Sequence, residues 1–292
     1  MRANPAEYEL AAPGTLQRVL ALYADEPGSW LPIAGGTDVM VLYAAGKLPP
    51  RRLVNIGDLR ELKRIEVTSS EVRVGAGCTY TDLRQHSVIA KEFSLLAGAA
   101  AWTGGIANQN RGTLGGNIAN ASPAGDSLPV LLVYDADLIL VSVRGERRIP
   151  YRTFHTGYKR TLLAPDELIH SICISRSLKG YMSYAKKVGA RNAQAISKVV
   201  FAAMARISNA IVEDVRLAAG SVGPIPIRLT GTELALAGHA IENPLLETAG
   251  RVMAEEIQPI NDIRSTAEYR TAVLRNLLGE FLQGLPGARI AA

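Results

Sequence analysis

The chain has 292 residues, of which 48% are hydrophobic and 20% are charged, and its formal net charge at pH 7 is +5. This balance is typical of a globular protein and excludes the disordered, collagen-like and coiled-coil classes. No run reaches the roughly 20 apolar residues that a membrane-spanning helix requires. The N-terminal MRANPAEYEL lacks the apolar core of a secretory signal, so none is predicted.

The first sixty residues predict a small α/β unit. Apolar side chains recur at helical spacing between Leu16 and Tyr23, which predicts an amphipathic helix. Residues 30–34 and 52–56 are short apolar runs that predict strands, and the first of them ends at the pair Gly35-Gly36.

The middle of the chain predicts a mixed set of elements around a long polar segment. These elements are a hairpin of strands 65–67 and 72–75, a helix from Thr81 through Leu83, a second helix over 89–101, and strands 135–143 and 168–174. Residues 104–127 are rich in Gly, Asn, Ser and Ala, and they are too many for a tight turn. They are also too poor in charge for a linker, and no element is assigned to them.

The last third of the chain predicts an antiparallel sheet packed with helices. The predicted elements are strands 181–188, 199–207 and 215–219 and helices 244–256 and 266–282. Because the pattern changes near residue 177, a domain boundary is predicted there.

The residues that could hold a metal are few and scattered. Cys78 and Cys173 have no CxxC spacing, so this chain cannot hold an iron–sulfur cluster or a zinc site by itself. A reduced pair is favoured over a disulfide between them. The four histidines stand in no metal-binding spacing: His86, His155, His170 and His239. GxSxG and Walker motifs are absent from the sequence.

The basic residues do not indicate nucleic-acid binding. The densest cluster consists of Arg144, Arg147, Arg148, Arg152, Lys159 and Arg160. Because aromatic residues make up only 5% of the chain, no stacking platform accompanies this cluster. A solvated or subunit-contacting face is favoured instead, and the positive charge also suits an anionic cofactor.

Two glycine-rich loops are the strongest candidates for a binding site. One spans residues 32–38 directly after a strand, and the other spans residues 113–126. Adjacent glycines allow positive φ and bring several amide N–H groups together, which makes a nest for phosphate oxygens. A third glycine pair, in VRVGAGCTY at 72–80, lacks the last glycine of a dinucleotide fingerprint and is interpreted as a turn. The two loops together predict paired amide nests for a diphosphate.

Four segments carry a resemblance to a known family. They are PIAGGTDV at 32–39, TLGGNIANASPAGD at 113–126, FHTGYKRTLLAPDELI at 154–169 and KVGARNAQAISKV at 187–199. In this order, and over essentially the whole chain, they resemble the flavoprotein subunit of the molybdenum hydroxylases of the xanthine dehydrogenase type. The resemblance implies an α+β fold. A PCMH/vanillyl-alcohol-oxidase-type FAD-binding domain of two α/β subdomains would occupy 1–176, and a flavoprotein C-terminal domain with an antiparallel sheet would occupy 177–292.

The resemblance also implies which residues contact FAD. They are Pro32, Ile33, Ala34, Gly35, Gly36, Thr37, Asp38 and Val39 in the first loop, Thr113, Leu114, Gly115, Gly116, Asn117 and Asp126 in the second, and Thr103, Leu168, Ile169 and Lys187 elsewhere. Thr103 stands where eukaryotic relatives carry an aromatic flavin neighbour, and Ala195 replaces a common acidic residue. No catalytic residue and no metal ligand is expected in this chain.

The activity implied by the resemblance is electron transfer within a larger cytoplasmic complex. A molybdenum-binding large subunit holding the molybdopterin cofactor and a small subunit holding 2Fe–2S clusters would complete a heterotrimer, whose dimerisation stays open. Electrons would pass through FAD to an acceptor such as NAD, and the protein would set the position and electronics of the cofactor. The organic substrate would bind another chain. Xanthine or a related purine is the leading expectation, while other N-heterocycles, aldehydes, nicotinate-like acids and carbon monoxide stay open.

Two alternatives remain at this stage. One is a free-standing flavin oxidase of the same superfamily, although the residues after 177 are few for a substrate-covering domain and neither glycine loop holds a histidine for flavin attachment. The other is a scaffold subunit that has lost its flavin, which the two intact glycine loops argue against. A yellow preparation would favour the flavin-binding hypotheses, and iron and molybdenum in the same preparation would favour the complex.

Overall fold

A computed structural model describes residues 4–49, 51–191 and 194–290. Asn192 and Ala193 of the fourth motif, and the outermost residues of both predicted domains, lie outside these ranges. The strands are β1 (Glu9–Ala11), β2 (Trp30–Ile33), β3 (Arg52–Asn55), β4 (Ile65–Val67), β5 (Glu71–Gly75), β6 (Asp137–Ser142), β7 (Gly145–Pro150), β8 (His155–Gly157), β9 (Arg160–Thr161), β10 (Leu168–Ser175), β11 (Met182–Val188), β12 (Val199–Ser208), β13 (Ile211–Gly220) and β14 (Ile227–Arg228).

The α-helices of the described chain fall into three groups: two among the strands of the first 55 residues, six between β5 and β6, and three after β14. They are α1 (Leu16–Asp25), α2 (Val39–Ala44), α3 (Tyr80–Gln85), α4 (Ser87–Glu92), α5 (Ser94–Trp102), α6 (Ile106–Gln109), α7 (Leu114–Asn120), α8 (Leu128–Val133), α9 (Thr230–Leu236), α10 (Asn243–Glu256) and α11 (Ala267–Gln283).

Three sheets form the frame of the molecule. The first is parallel, with strand order β1-β3-β2, and the second is antiparallel, with order β4-β5-β10-β6-β7. The third is antiparallel, with order β11-β12-β13-β14, and β8 pairs separately with β9. This α+β arrangement, with a C-terminal antiparallel sheet, is the predicted fold class.

Each sheet buries its apolar positions against a different neighbour. Val19 and Tyr23 of α1 pack with Val54 against Ile139 and Val141 of the second sheet. The wholly apolar α8, with the sequence LPVLLV, is buried along its full length and packs against β12 and β13. The other face of the third sheet is covered by α10 and α11. A continuous apolar core therefore joins the C-terminal sheet to the rest of the chain.

The prediction of one helix over residues 89–101 is wrong, because Phe93 interrupts it. Phe93 leaves the helical conformation (φ −124°, ψ 52°) and is only 2% exposed. Its ring meets that of Tyr134 edge-to-face, with centroids 5.4 Å apart. Turning this large side chain into the core separates α4 from α5.

Residues 104–127, to which the sequence analysis assigned no element, contain regular structure. Two short helices, α6 and α7, lie within this range. Thr113 caps α7 by accepting a hydrogen bond from the amide of Gly116 at 3.1 Å. The helix is not evident from the sequence because Gly and Asn, which make up much of it, have low helix propensity. Strand β13 also extends further than the predicted 215–219.

Three of the six residues of the basic cluster form ion pairs within the fold. Arg144 pairs with Asp166, and Arg147 pairs with Glu167 at 2.7 Å. Arg148 reaches both Glu71 and Asp137. These ion pairs leave less unpaired positive charge on β7 and its surroundings than the sequence indicates. Cys78 and Cys173 are buried and free.

Candidate functional site

A cavity of about 1270 Å³ opens where the first glycine loop, α7, the start of β10 and the C-terminal sheet meet. Most of the residues predicted to contact FAD line it: Pro32, Ala34, Gly35, Gly36, Thr37, Asp38, Val39, Thr103, Thr113, Gly115, Gly116, Asn117, Asp126, Leu168 and Ile169. The cavity exceeds the roughly 300–1,000 Å³ of typical small-molecule pockets, which suits a dinucleotide.

The first glycine loop presents free backbone donors to this cavity. Within the described part of the chain, the amide N–H groups of residues 35–39 have no hydrogen-bond partner. Gly36 has φ +74°, a left-handed conformation in which glycine is favoured. The Asp38 side chain does not cap α2 and instead accepts from the Asn120 amide at 3.4 Å. The loop therefore forms a nest of amides at the start of α2, suited to phosphate oxygens.

Gly35 brings this loop against the segment that precedes α7. A Cβ at Gly35 would lie 1.7 Å from the carbonyl oxygen of Arg111, so only glycine fits there. The Arg111 guanidinium in turn donates from Nε to the Gly35 carbonyl at 3.1 Å. The two glycine loops are thus neighbours on one cavity.

The prediction of a second amide nest is wrong. The N–H groups of Leu114 and Gly115 donate to the carbonyls of Cys78 and Ala76, and those of Gly116 and Asn117 donate to Thr113. All four amides in the first turn of α7 therefore already have acceptors within the protein. What the second loop offers the cavity is the bare face of Gly116, where a Cβ would meet only the Thr113 hydroxyl, at 2.8 Å.

Asp126 and Lys187 form an ion pair with little access to solvent. Lys187 Nζ donates to Asp126 Oδ2 at 2.7 Å, and their side chains are 11% and 8% exposed. Burial raises the pKa of the Asp126 carboxyl, against the opposing effects of Lys187 and of the Ser197 hydroxyl. Lys187 also donates to the Trp102 carbonyl at 3.1 Å. Asp126 lines the cavity but Lys187 does not, so Lys187 supports the site through its partner.

The remaining predicted contacts divide between the cavity wall and the core. Thr103 lines the cavity and donates its hydroxyl to the Ala99 carbonyl at 2.7 Å. Leu168 and Ile169 begin β10 and contribute apolar wall. Leu114 is fully buried in the core, and Ile33 sits in β2 outside the lining residues. Neither side chain therefore faces the cavity.

Several lining residues were not found from the sequence. Ala76 and Gly77 belong to the VRVGAGCTY segment, where a Cβ at Gly75 or Gly77 would collide with the Leu62 backbone. The interpretation of this segment as a turn is confirmed. The sequence did not predict that the turn lies beside the cavity. Others come from other parts of the chain and were not assigned to the site from the sequence, although the first three lie within segments that it singled out: Tyr80, Lys159, Ser197, Ser221 and Arg270.

Comparisons with known proteins decide the family. Residues 6–176 match the family described as the FAD binding domain in molybdopterin dehydrogenase. Residues 184–285 match the CO dehydrogenase flavoprotein C-terminal domain. The chain belongs to the FAD-binding subunits of the molybdenum hydroxylase family.

Individual members of this molybdenum hydroxylase family align along nearly the whole chain. The xanthine dehydrogenase FAD-binding subunit of Escherichia coli is 31% identical over 274 residues, covering 93% of each chain. The nicotine 6-hydroxylase medium subunit of Paenarthrobacter nicotinovorans is 30% identical, covering 92% of this chain and 93% of its own. A solved carbon monoxide dehydrogenase from Hydrogenophaga pseudoflava has a TM-score of 0.90 at 26% identity, with 96% of both chains covered.

No group of three or more His, Cys, Asp or Glu side chains is placed to hold a metal ion among residues 4–49, 51–191 and 194–290. Across the same ranges, no helix combines the length and apolar character needed to cross a bilayer. The protein belongs to the flavoprotein subunits of oxidoreductases of the xanthine dehydrogenase and CO dehydrogenase type.

Proposed function

We propose that this chain holds FAD in the cavity with its diphosphate against the amides of residues 35–39. The observation that carries this assignment is the run of unpartnered amide N–H groups at residues 35–39. Three of them, on Gly35, Gly36 and Val39, are half-buried, and such donors normally find an acceptor. The bare face of Gly116 supplies room for close approach, and Thr113, Asn117 and Asp126 supply polar groups for the ribityl hydroxyls.

The apolar part of the wall suits the flat ring of the cofactor. Leu168 and Ile169 are 3% and 5% exposed and lie at the start of β10, and Thr103 also lines the cavity. Asp126, paired with Lys187, places one fixed carboxylate in this region. These residues bind and orient; none of them forms a nucleophile–base pair.

We further propose that the subunit passes electrons from a partner's 2Fe–2S clusters to an acceptor such as NAD. Bound FAD supplies this redox chemistry, because a flavin exchanges both single electrons and pairs. The name of the Hydrogenophaga relative, carbon monoxide dehydrogenase medium chain, supports an assembly with further subunits. We propose a molybdopterin-containing large subunit and a 2Fe–2S small subunit as those partners, in a heterotrimer whose dimerisation stays open.

The organic substrate is proposed by likeness alone. The 31% sequence identity to the xanthine dehydrogenase FAD-binding subunit favours a purine substrate. Relatives named for nicotine, nicotinate, caffeine and carbon monoxide align comparably, which supports a substrate site on another chain.

We also propose a cytoplasmic location, which the two free thiols support. We further propose a division into domains 1–176 and 177–292, which the two family matches support.

Isolation of the native complex tests the proposal. The expected preparation contains one FAD per copy of this chain and carries molybdenum and iron on companion chains. A chain that purifies alone with FAD and oxidises a substrate would favour the free-standing oxidase instead. A folded chain that takes up no FAD would contradict the assignment.

A further inference from the structure

A series of buried polar contacts runs from α11 towards Asp126. Arg270, in the first turn of α11, is 3% exposed. Its Nη1 donates to the carbonyl oxygens of Lys198 at 2.7 Å and of Ser221 at 3.0 Å, and its Nη2 donates to Asp262 at 2.8 Å. One guanidinium thus joins the residue before β12, the residue after β13 and the loop before α11.

Two serines continue this series to the cavity wall. The Ser221 hydroxyl donates to the Ser197 carbonyl at 3.0 Å, and the Ser197 hydroxyl donates to Asp126 Oδ1 at 2.5 Å. Ser221 has φ +65°, a left-handed conformation that is unfavourable for a residue with a Cβ. Its amide is held by the Pro123 carbonyl at 2.8 Å and its own carbonyl by Arg270. These contacts fix the strained serine in place.

We propose that Arg270 is a positioning residue of the flavin site, acting by fixing the Lys198 and Ser221 carbonyls so that the Ser197 hydroxyl stays on the Asp126 carboxylate. This inference rests on the proposed function, since it takes Asp126 as a cofactor contact. It adds a role for residues outside the glycine loops. Asp126, Ser197, Ser221 and Arg270 all line the cavity, so a shift in any of them reaches the bound cofactor.

The chemistry of the side chains makes the role of Arg270 specific. A planar guanidinium donates to two carbonyls and a carboxylate at once, which an ammonium on a flexible stem does not reproduce. The bond from Ser197 to Asp126 is charge-assisted and therefore strong. Its loss would favour the protonated carboxyl and weaken its acceptance of hydrogen bonds from the cofactor.

The surroundings of Asp126 set the sign of the pH dependence. The charged and titratable groups that face Asp126 are Lys187 from β11 and Tyr80 from α3. Burial raises the pKa of the Tyr80 hydroxyl, so it stays neutral. Burial also raises the pKa of Asp126, and the Ser197 hydroxyl opposes this rise. Without that hydroxyl, the pKa of Asp126 rises further, so the carboxyl is protonated up to a higher pH. FAD binding is then weakened at acidic pH, where the carboxyl carries its proton.

The test measures the FAD dissociation constant of the full chain from about pH 5 to about pH 8. Ser197→Ala is expected to bind FAD about tenfold more weakly than the wild type near the acidic end, and less so near the alkaline end. Arg270→Met is expected to change the profile in the same direction. The double variant is expected to bind no more weakly than Ser197→Ala, because Arg270 acts through Ser197.

Arg228→Met is the matched control. Arg228 is also largely buried and donates to the Leu132 carbonyl, but it lies outside the cavity lining. Its loss is expected to lower the melting temperature without changing the pH profile.

If Arg270→Met does not fold, Arg270→Lys is expected to show the same change to a smaller extent. An unaltered profile in the folded Arg270 variant, or additive losses in the double variant, would overturn the inference. A wild type that binds no FAD at any pH would instead contradict the proposed function.

Discussion

Gly116 shows how much of this site depends on a missing side chain. Its Cα faces the cavity, and the Thr113 hydroxyl is the neighbour that an added Cβ would meet. Gly115, next to it, has a different reason to be glycine, since a Cβ there would lie 2.5 Å from that of Ala76. One glycine makes room for a ligand and the other makes room for the protein.

Gly116→Val is therefore expected to weaken FAD binding about tenfold to a hundredfold, because a branched side chain enters the path of the cofactor. The measurement is flavin titration of the apoprotein. Gly98→Val in α5 is the control, because it makes the same substitution within a helix where a Cβ meets nothing within 4 Å. Stoichiometric flavin in folded Gly116→Val protein would count against the assignment.

The ion pair of Lys187 and Asp126 gives a prediction about stability. Lys187→Met leaves a buried carboxylate without its partner, which is expected to lower the free energy of unfolding by about 3 kcal/mol at neutral pH. The variant raises the folded-state pKa of Asp126 further above its unfolded value. The deficit in unfolding free energy therefore grows as pH rises towards that folded pKa, levels off above it, and shrinks as pH falls.

Denaturant unfolding of Lys187→Met and wild type at neutral and acidic pH checks this prediction. Lys186→Met is the control, since Lys186 pairs with Glu280 where both side chains are about half exposed and such a pair contributes little. A Lys187 deficit that stays constant with pH, or that grows on acidification, would show that Asp126 is not the group responsible.

At the scale of elements, the decisive contact lies between the loop after β2 and the turn before α7. The sequence predicted both loops from their glycines, yet it did not predict that Gly35 packs on the Arg111 backbone. It also assigned a second amide nest to a segment whose N–H groups in fact start a helix. Local motifs identify glycine positions, whereas the partners of their amides come from distant strands and turns.

Gly35→Ala tests this contact. The added Cβ would lie 1.7 Å from a backbone oxygen that cannot rotate away, so the two loops must separate. We expect a lower melting temperature together with a loss of FAD affinity of at least about tenfold. Calorimetry and flavin titration measure the two effects. Gly98→Ala, which gains helix propensity in open space, is expected to be neutral or slightly stabilising. Wild-type flavin affinity in Gly35→Ala would contradict the role of this contact.

At the scale of the whole molecule, the sequence predicted the α+β fold and the C-terminal antiparallel sheet correctly. Periodicity located the long elements, such as α1, α11 and the strands of the third sheet. It missed α8, whose continuous apolar run has no amphipathic period because the helix is buried on all sides. It also missed the placement of Ser197, Ser221 and Arg270, which the packing of the C-terminal sheet brings to the cavity.

The central claim is that the amides of residues 35–39 hold the cofactor's diphosphate, and amide hydrogen exchange tests it most directly. Addition of FAD to the apoprotein is expected to slow exchange at residues 35–39, whose N–H groups otherwise lack a partner within the described chain. Residues 114–117, already bonded within the protein, are expected to change much less. Stoichiometric FAD binding with unchanged exchange at residues 35–39 would contradict the account.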